Sequence, residues 1–139
     1  MQRCLLCVKT KGGGLVPRPQ LHQLAATTPG KMIHFDYCKM TQGEGGMAYV
    51  LVIKDNFSTF TWLWQCASAT AAETVMALLT WFGTFGVADT WISDQGTHFM
   101  NEVMKGVCKA LRTEHHFVTV YSPWANGAVE RVNRELVRG

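Results

Sequence analysis

Residues 49–53, Tyr-Val-Leu-Val-Ile, are apolar without a break. A strand with one solvated face alternates apolar and polar residues, so a run with no alternation needs cover on both faces, which requires helices on both sides of a sheet. Three extended segments, MIHFDYCKM (32–40), AYVLVIKD (48–55) and FTWLWQCA (60–67), are separated only by the Gly-rich QGEGG and the turn DNFS. Connections this short favour an antiparallel meander.

Beyond residue 67 the period changes. Thr70-Ala-Ala-Glu73 is a capping-box pattern, and Val75, Leu78, Leu79 and Phe82 follow at helical spacing until Gly83, which is expected to end the helix. DTWIS (89–93) reads as a short strand, and Phe99, Val103, Val107 and Leu111 mark a second helix. HHFVTV (115–120) reads as another strand, and a third helix carries the stripe Val129, Val132 and Leu136. Helices that enter only after the meander connect strands running parallel. The class is therefore α/β with a mixed sheet, three antiparallel strands followed by two parallel ones.

The 139 residues, 47% of them hydrophobic, suit one domain with a real core, and 17% charged residues argue against disorder throughout. The longest apolar stretch, Val75 to Ile92, is broken by Thr80, Thr84, Asp89, Thr90 and two glycines, so no transmembrane segment is expected. No signal-peptide pattern opens the chain, and five cysteines at irregular spacing fit reduced thiols in an intracellular, non-secreted protein. Residues 1–31 contain the Gly/Pro-rich KGGGLVPRPQLHQLAATTPGK and read as a linker; the domain proper starts at about Met32. The first 35 residues carry five basic and no acidic side chains, whereas the remainder carries eight basic and ten acidic ones. Such a lead-in suits either the tracking of a polyanion or a soluble linker.

The acids carry the chemistry. Asp36 lies mid-strand between Phe35 and Tyr37, where a carboxylate is unfavourable unless it binds something. Asp94 follows the fourth strand in SDQG, where open α/β sheets hold ligands. Glu130 opens the third helix after the loop of Pro123, Asn126 and Gly127. There it either forms a solvated pair with Arg134, contributing ~0.2–0.5 kcal/mol, or joins the two aspartates. Three converging carboxylates need cations, and magnesium prefers such oxygens. A pair of ions can stabilise both the attacking and the leaving oxygen in phosphoryl transfer. Asp55, in the DNFS turn, reads as structural. His115 and His116 read as surface or partly buried, and Cys38 shares a strand face with Asp36.

MIHFDY, SDQGTHF and YSPWANGAVERVNREL, with thirty-five residues between Asp94 and Glu130, resemble the three blocks of the integrase catalytic core of retroviruses and gypsy-type long-terminal-repeat retrotransposons. The resemblance implies a ribonuclease-H-like fold and a DDE triad of Asp36, Asp94 and Glu130 holding two Mg2+ or Mn2+ ions. It implies 3′-end processing and strand transfer of retroelement DNA into target DNA, a homo-oligomer in the full-length form, no membrane, and the nucleus. Asn126, Arg131, Asn133 and Arg134 would contact DNA, and Trp124 would either stack on a base or anchor its loop. Cys4 and Cys7 form a CxxC, half a zinc site. The family's His pair does not precede them, so residues 1–31 are expected to be the remnant of a zinc-binding module plus linker, with no zinc held by this chain alone. Residues 32–139 are expected to form a catalytic core incomplete at its C-terminal end. Two other outcomes stay open on this sequence: a non-catalytic nucleic-acid-binding or interaction module derived from an integrase, and a nuclease that cuts without joining.

Overall fold

The computed structural model describes residues 26–41, 43–118 and 132–137. Strands β1 (Met32–Lys39), β2 (Tyr49–Asp55) and β3 (Thr61–Cys66) are followed by helix α1 (Ala71–Phe85) and strand β4 (Thr90–Ser93). Helix α2 (Glu102–Leu111) and strand β5 (Glu114–Phe117) come next, and residues 132–137 are helical, here α3. The sheet order is β3-β2-β1-β4-β5. β1–β2 and β2–β3 are antiparallel, while β1–β4 and β4–β5 are parallel. This is the mixed five-stranded sheet of a ribonuclease-H-like fold.

The uninterrupted apolar run in β2 is covered as its composition demands. Leu51 and Ile53 face one side, in a core with Phe35, Leu78, Trp81, Trp91, Phe99 and Met104 from β1, α1, β4, α2 and the turn ahead of it. Val52 faces the other side with Cys38, and there Val132 and Leu136 of α3 pack against them. Leu51 and Val52 are both wholly inaccessible although their side chains leave the strand in opposite directions. Trp81 and Trp91 are buried, and Trp62 and Trp64 are partly buried against the same core. The described cysteines Cys38, Cys66 and Cys108 are free and buried. Among the described residues no helix is long and apolar enough to cross a membrane.

Three element boundaries differ from the sequence expectation. Helix α1 runs through Gly83 to Phe85, and its stop is Gly86, at φ 91°, whose amide donates to the Phe82 carbonyl. A glycine in an exposed helix interior weakens it by about 1 kcal/mol without ending it, whereas a positive φ after the last turn does end it. The start of α1 is as expected: Thr70 caps it, its side chain accepting from the Glu73 amide. In α2 the buried positions are Met104 and Cys108. Phe99 is buried in the turn before the helix and Val103 is 56% exposed, while Val107 and Leu111 pack, partly buried, against the core as expected; of the expected stripe only Val103 faces outward. Asn101 caps this helix by accepting from the Met104 amide at 3.0 Å. Finally, β5 begins at Glu114 and ends at Phe117, and residues 119–120 of the expected strand lie outside the described residues.

Asp55 is structural. It is 3% exposed, and its carboxylate accepts from the Gly30 amide at 2.8 Å and from the Ser58 amide and hydroxyl at 2.6 Å each. It thereby ties the approach to β1 to the β2–β3 turn. Burial pushes this carboxyl up, but the Ser58 hydroxyl and the amides of Ser58, Gly30 and Phe57 more than offset it, leaving it below the ordinary value.

Candidate active site at the end of β1 and β4

Strand alternation sends Phe35 and Tyr37 into the larger core and leaves Asp36 on the opposite face, the one that carries Cys38 and faces α3. Asp36 is half-buried. Its Oδ2 accepts from Asn133 Nδ2 at 2.9 Å, a contact across 97 positions of chain. Packing of Val132 and Leu136 on Cys38 and Val52 sets Asn133 at that height. Among the described residues Asn133 Oδ1 is a buried acceptor with no donor. Burial and the neighbouring Asp36 charge push the Cys38 thiol up, which keeps it protonated and inert beside the carboxylate.

β1 and β4 pair in parallel with Met32 opposite Thr90, Ile33 opposite Trp91 and His34 opposite Ile92. Carried two residues further, that register would bring Asp94 level with Asp36. Asp94 has left the strand and begins a turn: its Oδ1 accepts from the Gly96 amide at 2.9 Å. The turn is tight. A Cβ at Gly96 would lie 2.6 Å from His98 Cε1 and Nε2 and 3.0 Å from Asp94 Oδ1. The His98 ring is wedged between Tyr37 and Phe99, with centroids at 4.9 and 4.1 Å, so it cannot yield freely. Burial lowers the His98 pKa, and the Asp94 carboxylate only partly reverses this. Gly96→Ala is therefore expected to destabilise the fold by about 1–3 kcal/mol through overpacking, read in thermal unfolding, and to shift the His98 ring resonances. Unchanged values for both would contradict the placement of that ring.

Behind Asp94, Ser93 is wholly buried. Its Oγ lies 2.9 Å from the Asp94 carbonyl oxygen and 2.8 Å from His115 Nε2. Burial, helped by the adjacent His116, pushes His115 down to about 4, so its imidazole is neutral at neutral pH. The sequence reading did not find this link, because residues 22 apart become neighbours only through the β4–β5 pairing. Nothing in the local pattern of HHFVTV signals it.

Arg134 is exposed on α3, while Asn133 is engaged with Asp36. Cys4, Cys7, Trp124, Asn126, Glu130 and Arg131 lie outside the described residues, as does the Glu130–Arg134 pair. Asp55 stands apart from the site, paired with Ile33 near the start of β1. Among the described residues no three His, Cys, Asp or Glu side chains group to hold an ion. Asp36, within β1, and Asp94, the residue after β4, are nevertheless half-buried oxygen donors following a parallel strand pair. Such a set fits magnesium, which is commonly bound by one or two carboxylates and keeps several waters.

The family model of the integrase core domain matches residues 26–123, which include Asp36 and Asp94. The chain is 28% identical over 136 residues to the Gag-Pol polyprotein of avian reticuloendotheliosis virus, covering 96% of this chain and 12% of that one. It is 28% identical over 138 residues to the Pro-Pol polyprotein of simian foamy virus type 3, covering 99% of this chain and 12% of that one. The chain thus spans about an eighth of the length of these relatives. Among solved structures, a chain of the simian T-cell lymphotropic virus intasome superposes with a TM-score of 0.74 at 22% identity, covering 84% of this chain and 41% of that one. The catalytic core domain of HTLV-2 integrase in complex with magnesium, in trimeric form, gives 0.65 at 20% identity, covering 78% and 67%. These two likenesses establish the fold. The extent of the family match establishes the lineage: the chain belongs to the integrase core domain family.

Proposed function

We propose that this chain is the catalytic core of a retroelement integrase, which cuts and joins DNA by divalent-metal-dependent phosphoryl transfer. The observation that carries the reading is the parallel β1–β4 register, with His34 opposite Ile92, which continued two residues would set Asp36 level with Asp94, in a chain of this family. Asp36, Asp94 and Glu130 are the carboxylates assigned to hold magnesium or manganese, two ions in the working state. Support comes from the oxygen-only donor set and from a related solved core described in complex with magnesium. Bound there, the metal would activate an attacking oxygen and offset charge at the leaving one.

The chain's own residues have defined tasks in this scheme. Asp94 is held at both ends, its carboxylate by the Gly96 amide and its carbonyl by the Ser93 hydroxyl, so it is presented with little freedom to reorient. Asn133 fixes one oxygen of Asp36. Arg134, exposed on α3, is assigned to a phosphate, and Asn126, Arg131 and Trp124 to DNA contact. In each step an oxygen nucleophile, water in end processing and a 3′ hydroxyl in joining, forms one P–O bond as another breaks. The DNA partners are the element's ends and a target duplex. A homo-oligomer and a nuclear site of action belong to the same reading.

The test is an incubation of the protein with a labelled terminal-repeat duplex of the parent element, with and without magnesium. Shortened strands together with longer, joined strands that appear only with metal are the expected result. Cutting with no joined product would favour a nuclease, and binding with neither product would favour a non-catalytic module.

A further inference from the structure

His115 is half-buried on β5, its ring packed against Phe117, Phe35 and Trp91 at centroid distances of 4.2, 5.5 and 6.2 Å. The ring turns its Nε2 to Ser93 Oγ at 2.8 Å. A serine hydroxyl has one hydrogen and two lone pairs. If that hydrogen goes to the Asp94 carbonyl at 2.9 Å, the imidazole must donate, which assigns the Nε2–H tautomer. The direction of the chain is then fixed: His115 Nε2–H to Ser93 Oγ, and Ser93 O–H to the Asp94 C=O. In the dry end of β4, where Ser93 has no accessible surface, each bond polarises the next. The Ser93 backbone is held as well, its carbonyl accepting from the Val118 amide at 2.8 Å.

We propose that His115 is a positioning residue for the acidic site, acting through the Ser93 hydroxyl to fix the Asp94 backbone and with it the place from which the Asp94 carboxylate reaches a metal. The proposal rests on the reading of Asp94 as a metal-holding carboxylate. Partners one shell out from a ligand commonly tune metal affinity 10–100-fold. His115 differs from such partners in reaching the ligand through a backbone carbonyl rather than through the ligating side chain.

The test is a titration of the full chain with magnesium chloride, followed by the amide shifts of residues 94–98. Parallel hydrogen exchange is measured at the Gly96 amide without metal. His115→Phe keeps an aromatic ring and removes the donor; it is expected to weaken magnesium binding about 10-fold and to speed Gly96 exchange. Ser93→Ala is expected to do the same, and the double variant to be no worse than either single one, because both break one chain. His115→Gln, whose amide N–H can occupy the Nε2 position, is expected to restore both readouts. A purely structural histidine would lower the melting temperature in every variant with no restoration of affinity by Gln. Magnesium affinity within twofold of wild type in both His115→Phe and Ser93→Ala overturns the proposal. Should His115→Phe fail to fold, Ser93→Ala and His115→Gln decide. Wild-type protein that binds no magnesium, or binds it equally well as Asp94→Asn, refutes the metal reading itself, and the positioning role falls with it.

Discussion

Asp94→Asn is expected to reduce metal-dependent cutting and joining on the order of a thousandfold, the equivalent of about 4 kcal/mol of transition-state stabilisation, with the fold intact. The intact fold follows from one bond. Asp94 Oδ1 accepts from the Gly96 amide, and an asparagine Oδ1 in the same place still accepts, so the turn persists and stability should change by less than about 1 kcal/mol. What the substitution removes is the negative charge. A carboxylate neutralises part of a divalent cation's charge, and an amide of the same shape does not. The measurement is a pair: melting temperature, and product formed per unit time with magnesium. A parallel loss of both would mean that Asp94 holds the fold and not a metal.

Asp55→Asn is expected to have the opposite profile, losing about 3 kcal/mol of stability. The Asp55 carboxylate accepts from three donors, the amides of Gly30 and Ser58 and the Ser58 hydroxyl. An asparagine NH2 would set a donor against a donor in a buried site, where each unmet group costs about 1–3 kcal/mol. The pH dependence carries a sign. The folded-state pKa is depressed, so the stabilisation is fully present above the unfolded aspartate value near ~3.9 and is lost as pH falls through the lower folded value. The stability gap between wild type and Asp55→Asn should accordingly be constant at neutral pH and shrink on acidification below about pH 4. Denaturant unfolding at a series of pH values reads it; a gap that widens in acid would mean that the carboxyl is protonated in the fold.

Asp36 and Asp55 show what a sequence reveals. Asp36 stood out because a charge in the middle of an apolar strand has no local reason to be there. Asp55 was set aside because Asp in a DNFS turn has one, and its bonds to Ser58 supply it. The double-sided burial of β2 was legible for a similar reason: five apolar residues in succession contain no solvent face. The exposure of Val103 in α2 was not legible, since Phe99 and Val103 fit the helical period and only the Asn101 cap shows that the helix starts after Phe99. Contacts that depend on strand order were out of reach. The Asn133–Asp36 and His115–Ser93 bonds join positions 97 and 22 apart, and periodicity carries no information about which elements become neighbours. The family resemblance narrowed the acids to a triad, but it offered no hint of His115.

The central claim is that Asp36 and Asp94 share a divalent cation, with Glu130 as the third carboxylate. Paramagnetic broadening by manganese added in small amounts to isotopically labelled protein tests it without requiring turnover. Amide signals around Asp36 and around Asp94, segments distant in sequence, are expected to disappear together, and Asp94→Asn to protect both sets. Broadening centred instead on the exposed acids Glu102 and Glu114, or confined to one strand, would contradict it.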